Sequence, residues 1–174
     1  MVKHIALLRG INVGGHRRVQ MHDLRVLAED AGFHDVRTYL ASGNLTLTSD
    51  GPLDHIEATL ERAIKRRFGF AVDVVARSKS QWTQYLDSNP FEDEGEREPN
   101  LVMLCIGKQP ATLETEAALR SGAGGTERAE LRGDALWLYF GDGSARSRMA
   151  VGPKAGVWTT RNLRTVRTIA AMLS

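Results

Sequence analysis

Cysteine is almost absent from this chain. Cys105 stands alone, which excludes an internal disulfide and any metal centre built from several thiolates. It sits in the apolar run Leu101-Val102-Met103-Leu104-Cys105-Ile106, where burial opposes ionisation, so an inert core thiol is expected there. Long hydrophobic runs are missing too. The apolar stretch after Lys3 stops at Arg9, too soon for a secretory signal, and no segment approaches the roughly 20 apolar residues that span a bilayer. No membrane partner and a cytoplasmic location follow as expectations. The five histidines, His4, His16, His22, His34 and His55, show no H-E-x-x-H or other ligand spacing, so no metal site is expected.

Acids are missing from both ends. Residues 1–22 hold Lys3, Arg9, Arg17 and Arg18 without a carboxylate, and residues 143–174 hold Arg146, Arg148, Lys154, Arg161, Arg164 and Arg167, again with none. The counterweight is Glu92-Asp93-Glu94-Gly95-Glu96-Arg97-Glu98, which leaves a net charge of only +2. The two basic ends make one positive face if they meet in space, and otherwise two solvated surfaces. With 42% hydrophobic and 25% charged residues over 174 positions, the chain has the composition of a folded globular protein, sized for one domain or two compact subdomains.

Hydrophobic periodicity organises the first half. Residues 4–9 read as a strand. Met21, Leu24, Leu27, Ala28 and Ala31 line one face of a helix that Gly32 stops. Residues 36–41 and 45–48 read as strands around the turn Ser42-Gly43-Asn44. Asp54 and Glu57 have capping-box spacing ahead of a helix carrying Ile56, Leu60, Ile64 and Phe68, closed by Gly69. Residues 72–76 form a fourth strand, followed by a short helix near residues 82–86. This β-α-β-β-α-β order predicts a ferredoxin-like antiparallel sheet of order 4-1-3-2 with both helices on one face. It also sets the Ser42-Gly43-Asn44 turn beside the end of the first strand.

Residues 89–100 are acidic and bounded by Pro90 and Pro99, a composition that suits a linker. The expected division is therefore a subdomain over 1–88, a linker over 89–100 and a second α+β subdomain over 101–174. In the latter, residues 101–106 form a strand and a helix runs from Pro110 to Leu119. A hairpin turns at Gly133-Asp134 between residues 129–132 and 135–140. That is β-α-β-β, an incomplete second copy, followed by a short helix over 145–150 and a last helix carrying Leu163, Val166, Ile169, Ala170 and Leu173.

The most informative stretch is Leu8-Arg9-Gly10-Ile11-Asn12-Val13-Gly14-Gly15-His16-Arg17-Arg18, a glycine-rich strand-to-helix connection ending in cations. Its G-x-x-x-G-G pattern matches neither the nucleotide-triphosphate loop nor the dinucleotide fingerprint, and no cofactor is implied. What remains is a backbone able to point N–H groups at an anion, or a tight turn with no further role. Arg161, Arg164 and Arg167 recur every three residues and predict a cationic stripe on the last helix. The predicted first and third strands contain no Phe, Tyr or Trp, which argues against base stacking on the sheet as RNA-recognition domains do it. Trp82, Trp137 and Trp158 are expected as core or subdomain-interface anchors rather than ligand stackers. Ser42 is not in a nucleophile elbow, although His16 is a conceivable base near it.

The segments Leu7-Leu8-Arg9-Gly10-Ile11-Asn12-Val13-Gly14-Gly15, Val19-Gln20-Met21, Thr38-Tyr39-Leu40-Ala41-Ser42-Gly43-Asn44 and Thr160-Arg161-Asn162, with Thr165-Val166, closely resemble the bacterial domain-of-unknown-function family 1697. The resemblance covers nearly the whole chain. It implies an α+β fold with a ferredoxin-like N-terminal part and no established activity. Its motif positions fall on Arg9, Asn12, Gly14, Gly15, Ser42, Gly43, Asn44, Arg161 and Asn162. Where members commonly carry an aromatic after the Arg-Asn pair, this chain has Leu163.

The functional expectation is a binding module for a small anionic or phosphorylated ligand. Residues Gly10 to Gly15 would supply amides. Arg9, Arg17 and Arg161 would supply charge, Asn12, Ser42 and Asn44 would fix orientation, and Asn162 is counted with the ligand-binding residues. Nonspecific nucleic-acid binding through the basic ends is one alternative, and an enzyme using Ser42 or His16 is another.

Overall fold

The computed structural model describes residues 1–141, 143–149 and 156–174. Over these residues the chain is an α+β protein with two four-stranded antiparallel sheets. It divides into two compact units, residues 1–82 with 169–174, and residues 83–168.

The first unit is built on β1 (Val2–Leu8), β2 (His34–Tyr39), β3 (Asn44–Ser49) and β4 (Val74–Ser78), in the order β2-β3-β1-β4. This is the 4-1-3-2 arrangement that the crossover rule dictates. The helices α1 (Met21–Asp30) and α2 (Leu53–Phe68) cover one face. Ala6, Leu8, Leu45, Leu47, Val74 and Ala76 alternate onto that face and bury against Leu24, Leu27, Ile56, Leu60 and Ile64. Complete burial of each large aliphatic contributes about 1.5–3 kcal/mol. Gly69 ends α2 in the left-handed conformation, at φ +81°, its N–H donating to Lys65 O at 3.0 Å. The expected Asp54 cap is not formed. Pro52 holds the cap position, Asp54 accepts from His55 N at 2.8 Å, and Glu57 instead accepts from Ala76 N at 2.8 Å, tying helix to strand.

After α3 (Lys79–Asp87), residues 89–100, expected as a linker, hold a helix instead, α4 (Glu92–Arg97). A Cβ at Gly95 would collide with the Leu163 side chain, so the absence of a side chain there lets this acidic helix pack closely. The second sheet comprises β5 (Val102–Gly107), β6 (Arg128–Arg132), β7 (Ala135–Tyr139) and β8 (Trp158–Asn162), in the order β6-β7-β5-β8, with α5 (Leu113–Gly122) between β5 and β6 and α6 (Leu163–Met172) after β8. The second copy is therefore complete at the level of strands. Its fourth strand, β8, takes in Arg161 and Asn162, residues expected at the start of the last helix. The helix expected over 145–150 is a single 3-10 turn, Ser144–Arg146; Ala150 and Lys154 lie outside the described residues.

Register extends the duplication to single residues. Ile5 pairs with Thr46 and Arg77, and Leu104 pairs with Trp137 and Arg161. Positions 5, 46 and 77 of the first sheet thus correspond to 104, 137 and 161 of the second. Trp82 and Trp137 are fully buried and Trp158 is 8% exposed, as core anchors should be. Cys105 is buried and its thiol is pushed up to about 12 by desolvation, which keeps it protonated.

Candidate functional site

Five of the eight residues from Gly10 to Arg17 adopt left-handed backbone conformations: Gly10, Asn12, Gly14, Gly15 and Arg17, with φ between +49° and +78°. The stretch is a miniature hairpin. Asn12 N donates to Arg17 O at 3.1 Å and His16 N to Val13 O at 3.0 Å. Gly14 and Gly15 stand at the two central turn positions, both requiring positive φ, which is why two glycines are needed there. Residues 13–18 are all exposed between the buried anchors Ile11 and Val19. The glycine-rich segment is a projecting finger.

Asn12 fixes the finger to the fold. Its Oδ1 accepts from Val19 N at 2.9 Å, and its Nδ2 donates to Val19 O at 2.9 Å and Ala41 O at 2.7 Å. Both amide donors are thereby spent, so Asn12 orients the loop and has no N–H left for a ligand. Ala41 belongs to the β2–β3 turn, and Leu8 N donates to Gly43 O of the same turn at 2.8 Å. The turn and the finger therefore lie side by side, as the topology requires. Asn44 is 1% exposed and donates to Tyr39 O at 2.7 Å and Ser42 Oγ at 3.0 Å, which makes it a turn brace. Gly43 sits under the junction: a Cβ there would meet Leu8 Cβ at 2.7 Å and Ile11 Cδ1 at 2.8 Å.

The charged groups differ in availability. Arg9 reaches Asp73 at 3.5 Å, both about half exposed, a weak surface pair. The Arg17 and Arg18 side chains are exposed and form no hydrogen bond or ion pair among the described residues. Arg17 Nη1 lies 3.7 Å from where a Gly10 Cβ would stand, and Arg18 Nη2 lies 3.9 Å from the corresponding point at Gly15. The backbone N–H groups of Gly14 and Gly15 likewise make no hydrogen bond among the described residues. His16 makes no side-chain hydrogen bond among them either, so no Ser42–His16 pair is assembled.

Arg161 and Asn162 belong to the second unit and lie in β8, so the stripe expected with Arg164 and Arg167 is not formed; only the latter two are in α6. Asn162 Oδ1 accepts from Thr165 N at 2.9 Å and caps α6. Arg161 Nη1 donates to Thr159 Oγ1 and Thr160 O, each at 2.8 Å, and burial lowers its guanidinium to about 10. The first sheet repeats this junction. Arg77, 5% exposed, donates to Ala76 O at 2.7 Å, and Ser78 Oγ accepts from Gln81 N at 3.2 Å to cap α3. No motif sets Arg77 apart in the sequence. The shared signal is an arginine followed by a capping residue, Arg77-Ser78 and Arg161-Asn162, and it marks a strand-to-helix junction in both halves.

The sheet face opposite α1 and α2 holds Ile5, Leu7, Thr46 and Val75, all under 5% exposed, so it offers no platform for bases. Among the described residues no group of His, Cys, Asp or Glu side chains could hold a metal ion, and no helix is long and apolar enough to cross a membrane.

The model of a family described as protein of unknown function, DUF1697, matches residues 1–137. The chain belongs to that family. No curated protein matches it. Among solved structures it is similar to the conserved bacterial protein SP0830 from Streptococcus pneumoniae, at 22% identity over 99% of both chains, with a TM-score of 0.80. At that identity the likeness shows a shared fold and nothing more.

Proposed function

We propose that this DUF1697 protein binds an anionic, phosphate-bearing group at the tip of the finger. The observation that carries the reading is the pair Arg17 and Arg18, exposed and unpaired among the described residues beside the free amides of Gly14 and Gly15. Guanidinium forks and converging N–H groups are the donors that phosphate oxygens accept from. Arg9, partly occupied by Asp73, adds positive potential. Asn12, Ser42 and Asn44 hold the two loops in register. Arg161 and Asn162 brace the β8–α6 junction of the second unit.

Thermal-shift titration with inorganic phosphate, pyrophosphate, nucleotides and sugar phosphates tests the reading. Ligand-dependent stabilisation is expected, reduced by Arg17→Ala and Arg18→Ala, because each charge-assisted hydrogen bond contributes about 1.5–3 kcal/mol. Absence of any shift, or shifts identical in the variants, would overturn it.

A further inference from the structure

We propose that the finger and the adjoining β2–β3 turn dock together on an anionic lipid surface, with Val13 and Leu40 entering the headgroup boundary and Arg17 and Arg18 meeting lipid phosphates. This rests on the anion-binding reading above and names the source of the anion.

Two large aliphatic side chains mark this end of the first sheet: Val13 is 67% exposed and Leu40 is 50% exposed. Single exposed aliphatics are ordinary on protein surfaces. The loops that carry them are joined, because Asn12 clips the finger to Ala41, the neighbour of Leu40, at 2.7 Å. Leu40 also stands in the left-handed region, at φ +58°, where a bulky residue is strained and glycine is not. The Gly43 N–H holds that conformation by donating to Leu40 O at 3.2 Å. A half-exposed leucine kept in an unfavourable conformation is explained by an external apolar contact. Residues 13–18 are exposed without a break, and residues 9–22 contain four histidines or cations beyond Arg9, namely His16, Arg17, Arg18 and His22, and no acid.

Exposed aliphatics and unpaired arginines on the same pair of loops suit the layering of a bilayer interface. Aliphatics reach the acyl boundary while long cationic side chains lie at phosphate depth. Charge complementarity selects an anionic leaflet. Two aliphatics and two free arginines make a weak, reversible and salt-sensitive contact, with each arginine contributing about fivefold in affinity.

The experiment is vesicle co-sedimentation of the full chain with phosphatidylcholine alone and with phosphatidylcholine mixed with phosphatidylglycerol, alongside thermal melting. Binding is expected only to the mixed vesicles, and it falls about fivefold for Arg17→Ala and again for Arg18→Ala. Leu40→Gly and Val13→Ser weaken it severalfold. Leu40→Gly does so while leaving the melting temperature unchanged or higher, because glycine relaxes the strained turn, so lost binding cannot be assigned to misfolding. Vesicle binding indifferent to Leu40→Gly and Val13→Ser overturns the proposal. No vesicle binding together with an Arg17-dependent stabilisation by inorganic phosphate overturns it and leaves the anion site standing. No response to either probe removes both readings. Salt-dependent retention on a DNA or RNA duplex without vesicle binding assigns the surface to nucleic acid and also overturns it.

Discussion

The two halves of this chain solve the same topological problem with different loops. Both make a sheet of order 4-1-3-2, and both place an arginine and a helix cap at the end of the fourth strand. The second half passes from β5 to α5 in five residues, 108–112, and from β6 to β7 in two, Gly133 and Asp134. The first half spends twelve residues, 9–20, and four, 40–43, on the equivalent connections. The tether between the loops also differs: Ala111 N donates to Asp134 O at 2.9 Å in one half, and the Asn12 side chain reaches Ala41 O at 2.7 Å in the other. The fold closes with the short versions. The surplus residues of the first half are therefore not needed to connect strands to helices, and they carry the exposed Val13, Arg17, Arg18 and Leu40. Surplus loop on a rigid scaffold is where recognition is usually built.

The correspondence between the sheets predicts where equal substitutions have unequal effects. The largest difference is at the central position of β3 and β7. Trp137, fully buried, corresponds to Thr46, 4% exposed. Trp137→Ala should cost about 3–5 kcal/mol through the cavity it leaves, whereas Thr46→Ala should stay within about 1 kcal/mol. Urea denaturation of each variant measures this. Equal losses would show that Trp137 does not anchor its face more than Thr46 anchors the other.

Next come the two turns. At Gly43, φ is +83° and an added methyl would stand 2.7 Å from Leu8 Cβ, while Gly133 has φ +60° and nothing within 4 Å of the same point. Gly133→Ala meets only the left-handed penalty, about 1 kcal/mol. Gly43→Ala adds a collision with a rigid Cβ, for about 3 kcal/mol in all. Similar midpoints for the two variants would mean that the tight junction under the finger relaxes freely.

Much of this comparison is legible before any coordinates. The four-residue recurrence of Ile56, Leu60 and Ile64 specifies α2, and the right-handed crossover rule converts a β-α-β-β-α-β order into the sheet order found. What escapes is whatever depends on partners far apart in sequence. Trp158-Thr159-Thr160-Arg161-Asn162 lacks apolar alternation, and the three-residue spacing of Arg161, Arg164 and Arg167 imitates a helical face, so β8 is hidden behind α6. Acid content makes residues 92–97 read as solvated linker, although Gly95 lets that helix approach Leu163. At the candidate site, the glycine pair and its cations are visible in sequence. The role of Asn12 is not, because its bonds run to positions 19 and 41. Asn12→Ala, which removes all three, should cost about 2 kcal/mol and accelerate hydrogen exchange at the Val19 amide; unchanged exchange would mean that the finger is held by Ile11 and Val19 alone.

The smallest effect distinguishes the halves by pH. His4 of β1 corresponds by register to Met103 of β5. His4 is 6% exposed, its Nε2 lies 3.3 Å from Ser49 O, and its Nδ1 has no partner among the described residues. Desolvation lowers its pKa below the ordinary histidine value, and the Ser49 carbonyl only partly offsets that. The unfolded chain therefore binds this proton more readily than the folded one. The stability contribution is intact above about pH 6.5 and is lost as pH falls from there towards the folded value, with a slope bounded by about 1.4 kcal/mol per pH unit for one proton. His4→Met, which gives the first sheet the residue found in the second, should flatten this part of the pH profile. Urea midpoints for the wild type and His4→Met between pH 7.5 and pH 5.5, taken as about one unit either side of the ordinary histidine value, measure it. A difference between the two proteins that stays constant across that range would assign the acid sensitivity to groups other than His4.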